Sequence, residues 1–225
     1  MDDLGRRVDR DQLAQLDVQL GILDLLVPPP PRLVDIAIGV SILSWAGAAT
    51  WSNLGQRPMA ILIATSLLHV MVGVLFLVRR GVEKQGDWAT CLIAIPAVLV
   101  GGWVFGWSPD DWGVAAQILF VSGCGLAIVS FAFLGRCFAI LPAIRGTVVR
   151  GPFSIIRHPA YLGELVMVVA CFVAAELHWK QLAIFLPIVA LFAIRIHVEE
   201  RLLLSSEAYQ RYCRQVRWRL IPLIW

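Results

Sequence analysis

Between Arg57 and Arg79 the chain reads PMAILIATSLLHVMVGVLFLV (residues 58–78), a run whose one ionisable side chain is His69. A bilayer core about 30 Å thick is crossed by roughly 20 mostly apolar residues in a helix, so this run is a membrane span. Outward from it, comparable runs cover Leu33 to Trp51, Trp88 to Trp107 and Gly113 to Leu134. A shorter fifth run, Ala160 to Ala175, is followed after a brief polar turn (Glu176, His178, Lys180) by a sixth, Gln181 to Val198. This last pair reads as a tight helical hairpin. Helices are required because backbone polar groups in lipid are satisfied within the segment, and none of the runs alternates as a barrel strand would.

The rest of the composition agrees. Of 225 residues, 59% are hydrophobic and 16% charged, against about 25% charged in soluble domains. A net charge of +3 argues against a nucleic-acid partner. Arginine plus lysine counts in successive non-membrane segments run 4, 1, 3, 0, 4, 1 and 5. Positive charge is retained on the cytoplasmic side, so this alternation predicts six spans with both termini cytoplasmic. The expected fold class is therefore all-α, a polytopic integral membrane bundle. Its expected regions are an N-terminal segment (1–32), a four-helix region (33–134) and a C-terminal region (135–225). In the first, Leu13, Leu16, Leu20 and Leu23 recur at helical spacing before Pro28–Pro31, suiting a helix on the membrane surface or one packed on the bundle. Seventeen arginines against two lysines fit a GC-rich bacterial genome, and with it a bacterial cytoplasmic membrane. The five cysteines show neither a CxxC pair nor metal-like spacing, so no metal is expected.

Polar chemistry concentrates after residue 134. Pro159 suits the first position of the fifth helix and holds His158 extended at its mouth, where free N–H groups make a seat for an anion. Tyr161 follows in the first turn, and Gly163 permits a close backbone approach. The sixth helix ends in Arg195, His197, Glu199, Glu200 and Arg201. Adjacent acids at a helix C-terminus oppose its dipole and call for compensating positive charge. Arg195 and Glu199, four apart, are spaced for a simple ion pair; the alternative is that one glutamate binds a ligand's hydroxyls or amine. Because the hairpin turn is short, His158, Tyr161, Glu199 and Glu200 are expected to converge on the cytoplasmic side. His69, deep in the second span, reads as a histidine bonded within the bundle rather than as part of this site.

These residues resemble the isoprenylcysteine carboxyl methyltransferase family and its bacterial and phospholipid-methylating relatives. The resemblance rests on Arg157-His158-Pro159 with Tyr161 and Gly163, on Glu199-Glu200 followed by Leu203, and on Tyr209, Tyr212 and Arg219-Leu220-Ile221-Pro222. It covers roughly residues 134–225. It implies a membrane-embedded methyltransferase using S-adenosylmethionine without a Rossmann domain. His158, Tyr161, Leu162 and Gly163 would line the cofactor pocket, and Glu199 and Glu200 would close it. Phe153, Glu164 and the Ser205–Ala208 stretch depart from the family's pattern, which bears on the acceptor rather than on the transfer. Arg195 is then expected to orient an anionic group by its forked guanidinium, and Glu164 or a glutamate of the pair to serve as base for a thiol or amine. The expected partner is a small or lipid substrate reached from the membrane. A sterol-type NADPH-dependent reductase and a non-enzymatic membrane protein are the competing readings.

Overall fold

The computed structural model describes residues 32–176 and 179–225. The N-terminal leucine repeat and the turn residue His178 lie outside the described residues. The architecture is all-helical apart from one two-residue antiparallel bridge. Helices α1 (Arg32–Ser52) and α2 (Met59–Val78) precede strand β1 (Lys84–Gln85), followed by α3 (Trp88–Trp107) and α4 (Val114–Leu134). A 310 turn, strand β2 (Ala143–Ile144) and a second 310 turn lead into α5 (Pro159–Ala174), α6 (Trp179–Leu203) and α7 (Glu207–Gln215). The bridge pairs Lys84 with Ile144 and Gln85 with Ala143.

Helices α1 to α4 are long and apolar enough to cross a membrane. Their large side chains face outward in number, among them Trp45, Leu67, Leu99 and Ile118, as expected where the surroundings are lipid. Helix α5, at 16 residues, rises only about 24 Å. Helix α6 is longer but ends in the charged stretch Arg195–Arg201.

Small residues set the helix packing, as they do where no hydrophobic force drives helices together in lipid. A Cβ on Gly163 of α5 would stand 2.6 Å from the Gly123 carbonyl oxygen, and a Cβ on Gly123 would stand 2.7 Å from the Gly163 oxygen. Gly39 of α1 meets Gly73 of α2 in the same manner. The close backbone approach expected at Gly163 is to α4, and the residue lines neither of the two cavities described below. Gly163→Ala is expected to cost about 1–3 kcal/mol by overpacking, read as a lower melting temperature in detergent. Gly125→Ala, with nothing within 4 Å, serves as the neutral control.

Drawn onto α4, helix α5 keeps its backbone apart from that of α6, which packs closely on α3. Side chains bridge α5 and α6: Phe172 meets Phe185 with ring centroids 5.6 Å apart, and Tyr161 meets Phe192 at 6.3 Å. The tight hairpin expected from the sequence is therefore a pair with separated backbones joined through side chains.

Beyond α6 the tail returns to the entrance of α5. The Arg157 and His158 amides donate to the carbonyls of Trp218 and Arg219 at 2.9 and 2.8 Å. Helix α7 is strongly amphipathic, with Tyr209 and Tyr212 buried. The Tyr212 hydroxyl donates to the Phe153 carbonyl at 2.7 Å, locking α7 over the loop that precedes α5.

Candidate active site

His158 caps α5 through its backbone position alone, making no side-chain capping bond. Its ring stacks on Tyr161, parallel within 5° and with centroids 5.4 Å apart. The Tyr161 hydroxyl donates to a carboxylate oxygen of Glu199, and the Arg195 guanidinium lies over the Tyr161 ring, 4.4 Å from its centroid. Arg195 extends one nitrogen to Glu164 at 3.5 Å and another to the Ile140 carbonyl at 3.0 Å. Its Nε–H is buried and has no hydrogen-bond partner. The simple Arg195–Glu199 ion pair is not what forms: the arginine turns to Glu164, and Glu199 receives the phenol.

The two adjacent acids have different surroundings. Glu200 is 2% exposed and collects donors from four directions. Arg157 Nη1 and His158 Nε2 approach one oxygen at 3.0 and 3.2 Å, with the Tyr209 hydroxyl at 3.4 Å. Arg219 Nε holds the other at 2.6 Å. Burial by itself would raise this carboxyl. The hydrogen bonds from His158 and Arg219, with the charges of His158 and Arg157, outweigh that and hold it down at about 2. Glu200 lines neither cavity, so the expected pocket residue is instead the buried counter-charge that ties α5, α6 and the tail together. Leu162 also stays out of the cavities and packs against the apolar core.

Two cavities meet at Tyr161. The smaller, about 90 Å³, is enclosed by the 137–148 loop, α5, α6 and α7; its wall includes Arg157, His158, Glu199, Phe153, Tyr209 and Tyr212. The larger, about 710 Å³, runs between the membrane helices and carries Glu164 and Arg195 beside Tyr161. It reaches Cys171 on the same helix, ten residues and so about 15 Å further on. Its walls there are Leu68, Val72, Ala97, Phe105, Met167 and Val168. Trp45 of α1 and Gly102 of α3 line it and are themselves exposed, so the cavity opens sideways between those helices. Phe131, Ala139 and Tyr161 belong to both walls.

The chain matches a known family over this region. Residues 112–211 match the Phospholipid methyltransferase family. This phospholipid methyltransferase region runs from just before α4 into α7 and contains His158, Tyr161, Glu164, Arg195, Glu199 and Glu200. The chain is also 31% identical over 86 residues to Delta(14)-sterol reductase TM7SF2 of Mus musculus, a stretch covering 36% of this chain and 20% of that protein. The chain thus spans about a fifth of the length of that relative.

Some of the candidate site was not legible beforehand. Phe131 and Ala139 look like ordinary apolar residues, and only the packing of α4 and the fold of the 135–150 loop bring them to the common wall. Arg157 and Arg219 sit inside the quoted motifs, yet nothing in the motifs says that both serve Glu200. His69 bonds the Thr65 carbonyl at 2.7 Å and meets Trp45 edge-on, on the wall of the larger cavity. Among the described residues no cluster of potential metal ligands occurs.

Proposed function

We propose that the protein is an integral membrane methyltransferase that takes its methyl group from S-adenosylmethionine and passes it to a lipophilic or small thiol, amine or carboxylate acceptor. The acceptor arrives from the lipid phase through the opening between α1 and α3. In this reading the chain crosses a bacterial cytoplasmic membrane six times with both termini and the donor site on the cytoplasmic side. Residues 33–134 form a four-helix membrane region and residues 135–225 the catalytic region. The observation that carries the reading is the common wall: a polar cavity and a laterally open apolar cavity separated by Phe131, Ala139 and Tyr161.

The residues present suit the donor. Aromatic faces (Phe153, Tyr209, Tyr212) favour a cation and a flat base, and Glu199 is positioned to accept from hydroxyls or an ammonium. Arg157, a lining residue of the smaller cavity, has a buried Nε–H without a partner, suited to a carboxylate. A space of about 90 Å³ holds only part of such a molecule, so binding entails withdrawal of the 137–148 loop. S-adenosylmethionine supplies a methyl group already activated on a sulfonium, so what the protein contributes is alignment, worth about 7–11 kcal/mol when both reactants are held in geometry. His158 and Tyr161, stacked and pinned by the two glutamates, form the rigid floor between the reactants. Arg195 orients the acceptor, and Glu164 takes the proton that a thiol or amine loses.

Calorimetric titration of the detergent-purified protein with S-adenosylhomocysteine is expected to give saturable heat, weakened in Glu199→Gln and His158→Ala. The similarity to a sterol reductase supports a second reading as a reductase. Saturable heat with NADPH and none with S-adenosylhomocysteine would select it and end the first.

A further inference from the structure

Arg145, in the loop between β2 and α5, is 4% exposed. One guanidinium nitrogen donates to the Arg80 carbonyl, and its buried Nε–H has no partner. The nearby carboxylate, Asp35 at the start of α1, is taken: Arg79 engages both of its oxygens, at 2.9 Å through Nε and again through Nη2. No carboxylate pairs with Arg145 among the described residues. Two buried guanidinium groups therefore share one buried acid. A buried cation without a counter-charge is unfavourable and calls for an anion.

The surroundings add to the excess. The Arg80 amide donates to the Arg136 carbonyl at 2.8 Å, so the two side chains emerge together, both exposed. Lys84, opposite Ile144 in the bridge, is exposed next to them. Besides Asp35, the acids of this segment are Glu83, exposed and bound through its amide to the Ile144 carbonyl, and Asp87, whose carboxylate accepts from the Thr90 amide at the start of α3. The cluster sits just past the last residue of α2, a helix of membrane-spanning length, where lipid headgroups lie.

We propose that Arg145, with Arg79, Arg80 and Arg136, binds the phosphate of an anionic phospholipid at the headgroup level, in a site separate from the two cavities. Forked guanidinium groups match phosphate oxygens in pairs, and basic pockets beside membrane helices hold anionic headgroups. The site has a structural consequence. Cys137, Ala143, Gly146 and Thr147 of the same loop line the smaller cavity, so a headgroup on Arg145 braces that wall from behind.

The test is the melting temperature of the full chain in nanodiscs of phosphatidylcholine alone and of phosphatidylcholine with a quarter phosphatidylglycerol. The anionic discs are expected to raise it by about 5 °C. Inorganic phosphate added to the neutral discs separates the sources: a rise only with lipid assigns the headgroup, and an equal rise assigns a soluble phosphate to the same arginines. Arg145→Gln is expected to abolish the shift. If that variant does not fold, the surface pair Arg80→Gln with Arg136→Gln is expected to halve it. Arg211→Gln with Arg214→Gln, on α7, is expected to keep the whole shift. Equal loss in the α7 pair would mean diffuse attraction to a charged surface and overturn the site. So would a melting temperature indifferent to lipid and phosphate that falls when Asp17 and Asp24 become asparagine, which would put the chain's own carboxylates there.

Discussion

Arg195→Met is expected to lower methyl transfer by about 10²- to 10³-fold, the loss typical of removing one preorganised charge from a reacting centre. Binding of S-adenosylhomocysteine is expected to change little, because Arg195 lines the larger cavity, proposed for the acceptor, and not the smaller one. The guanidinium is fixed by the Tyr161 ring, by Glu164 and by the Ile140 carbonyl, and its remaining Nε–H is unpaired. Arg195→Lys keeps the charge but loses the planar fork, so it is expected to recover only part of the rate. Glu164→Gln then distinguishes the acceptor classes. A thiol or amine must lose a proton, so its methylation is expected to fall steeply in this variant; a carboxylate acceptor needs no base and is expected to be nearly unaffected. Single-turnover rates measured beside calorimetric affinities check both expectations. An Arg195→Met protein with undiminished turnover would remove this residue from the chemistry.

Glu200→Ala is expected to be the most destabilising single change in residues 135–225. Removing one partner of a buried ionic network costs about 3–5 kcal/mol, because the opposite charges remain. Here Arg157, His158 and Arg219 would be left facing one another. For a chain of this size that corresponds to a drop of roughly 10 °C in melting temperature. Glu199→Gln, one residue away, is expected to weaken ligand binding while leaving the melting temperature within about 2 °C. The same carboxylate gives a pH signature. Its pKa lies at about 2 in the folded protein against 4.5 ordinarily, so its contribution is complete above about pH 4.5 and is lost as the pH falls toward 2. Melting curves between pH 6 and 2 are expected to fall through that window in the parent protein and to be flatter there in Glu200→Gln. Parallel curves for the two proteins would show that Glu200 is not the stabilising ion.

The primary sequence determined a good deal by itself. Run lengths and apolarity marked α1 to α4, since a segment in lipid must satisfy its own backbone and be long enough to cross. Pro159 after His158 marked the start of α5, because proline is tolerated there and restrains the residue before it. The polar motifs at 157–163 and 199–200 placed a cluster of ionisable side chains at one end of the bundle. What they left open was direction. Successive residues on a helix point about 100° apart, so Glu199 and Glu200 had to face different neighbours, and only the return of the tail made Glu200 the buried ion and left Glu199 at the cavity. Gly163 was visible as a point of close approach, but whether toward a ligand or a helix depended on Gly123, forty residues away. The spacing of α5 from α6 and the common wall at Tyr161 depend on how three separate helices pack on one another. Such features arise where side chains distant along the chain compete for the same space, which spacing along one segment does not record.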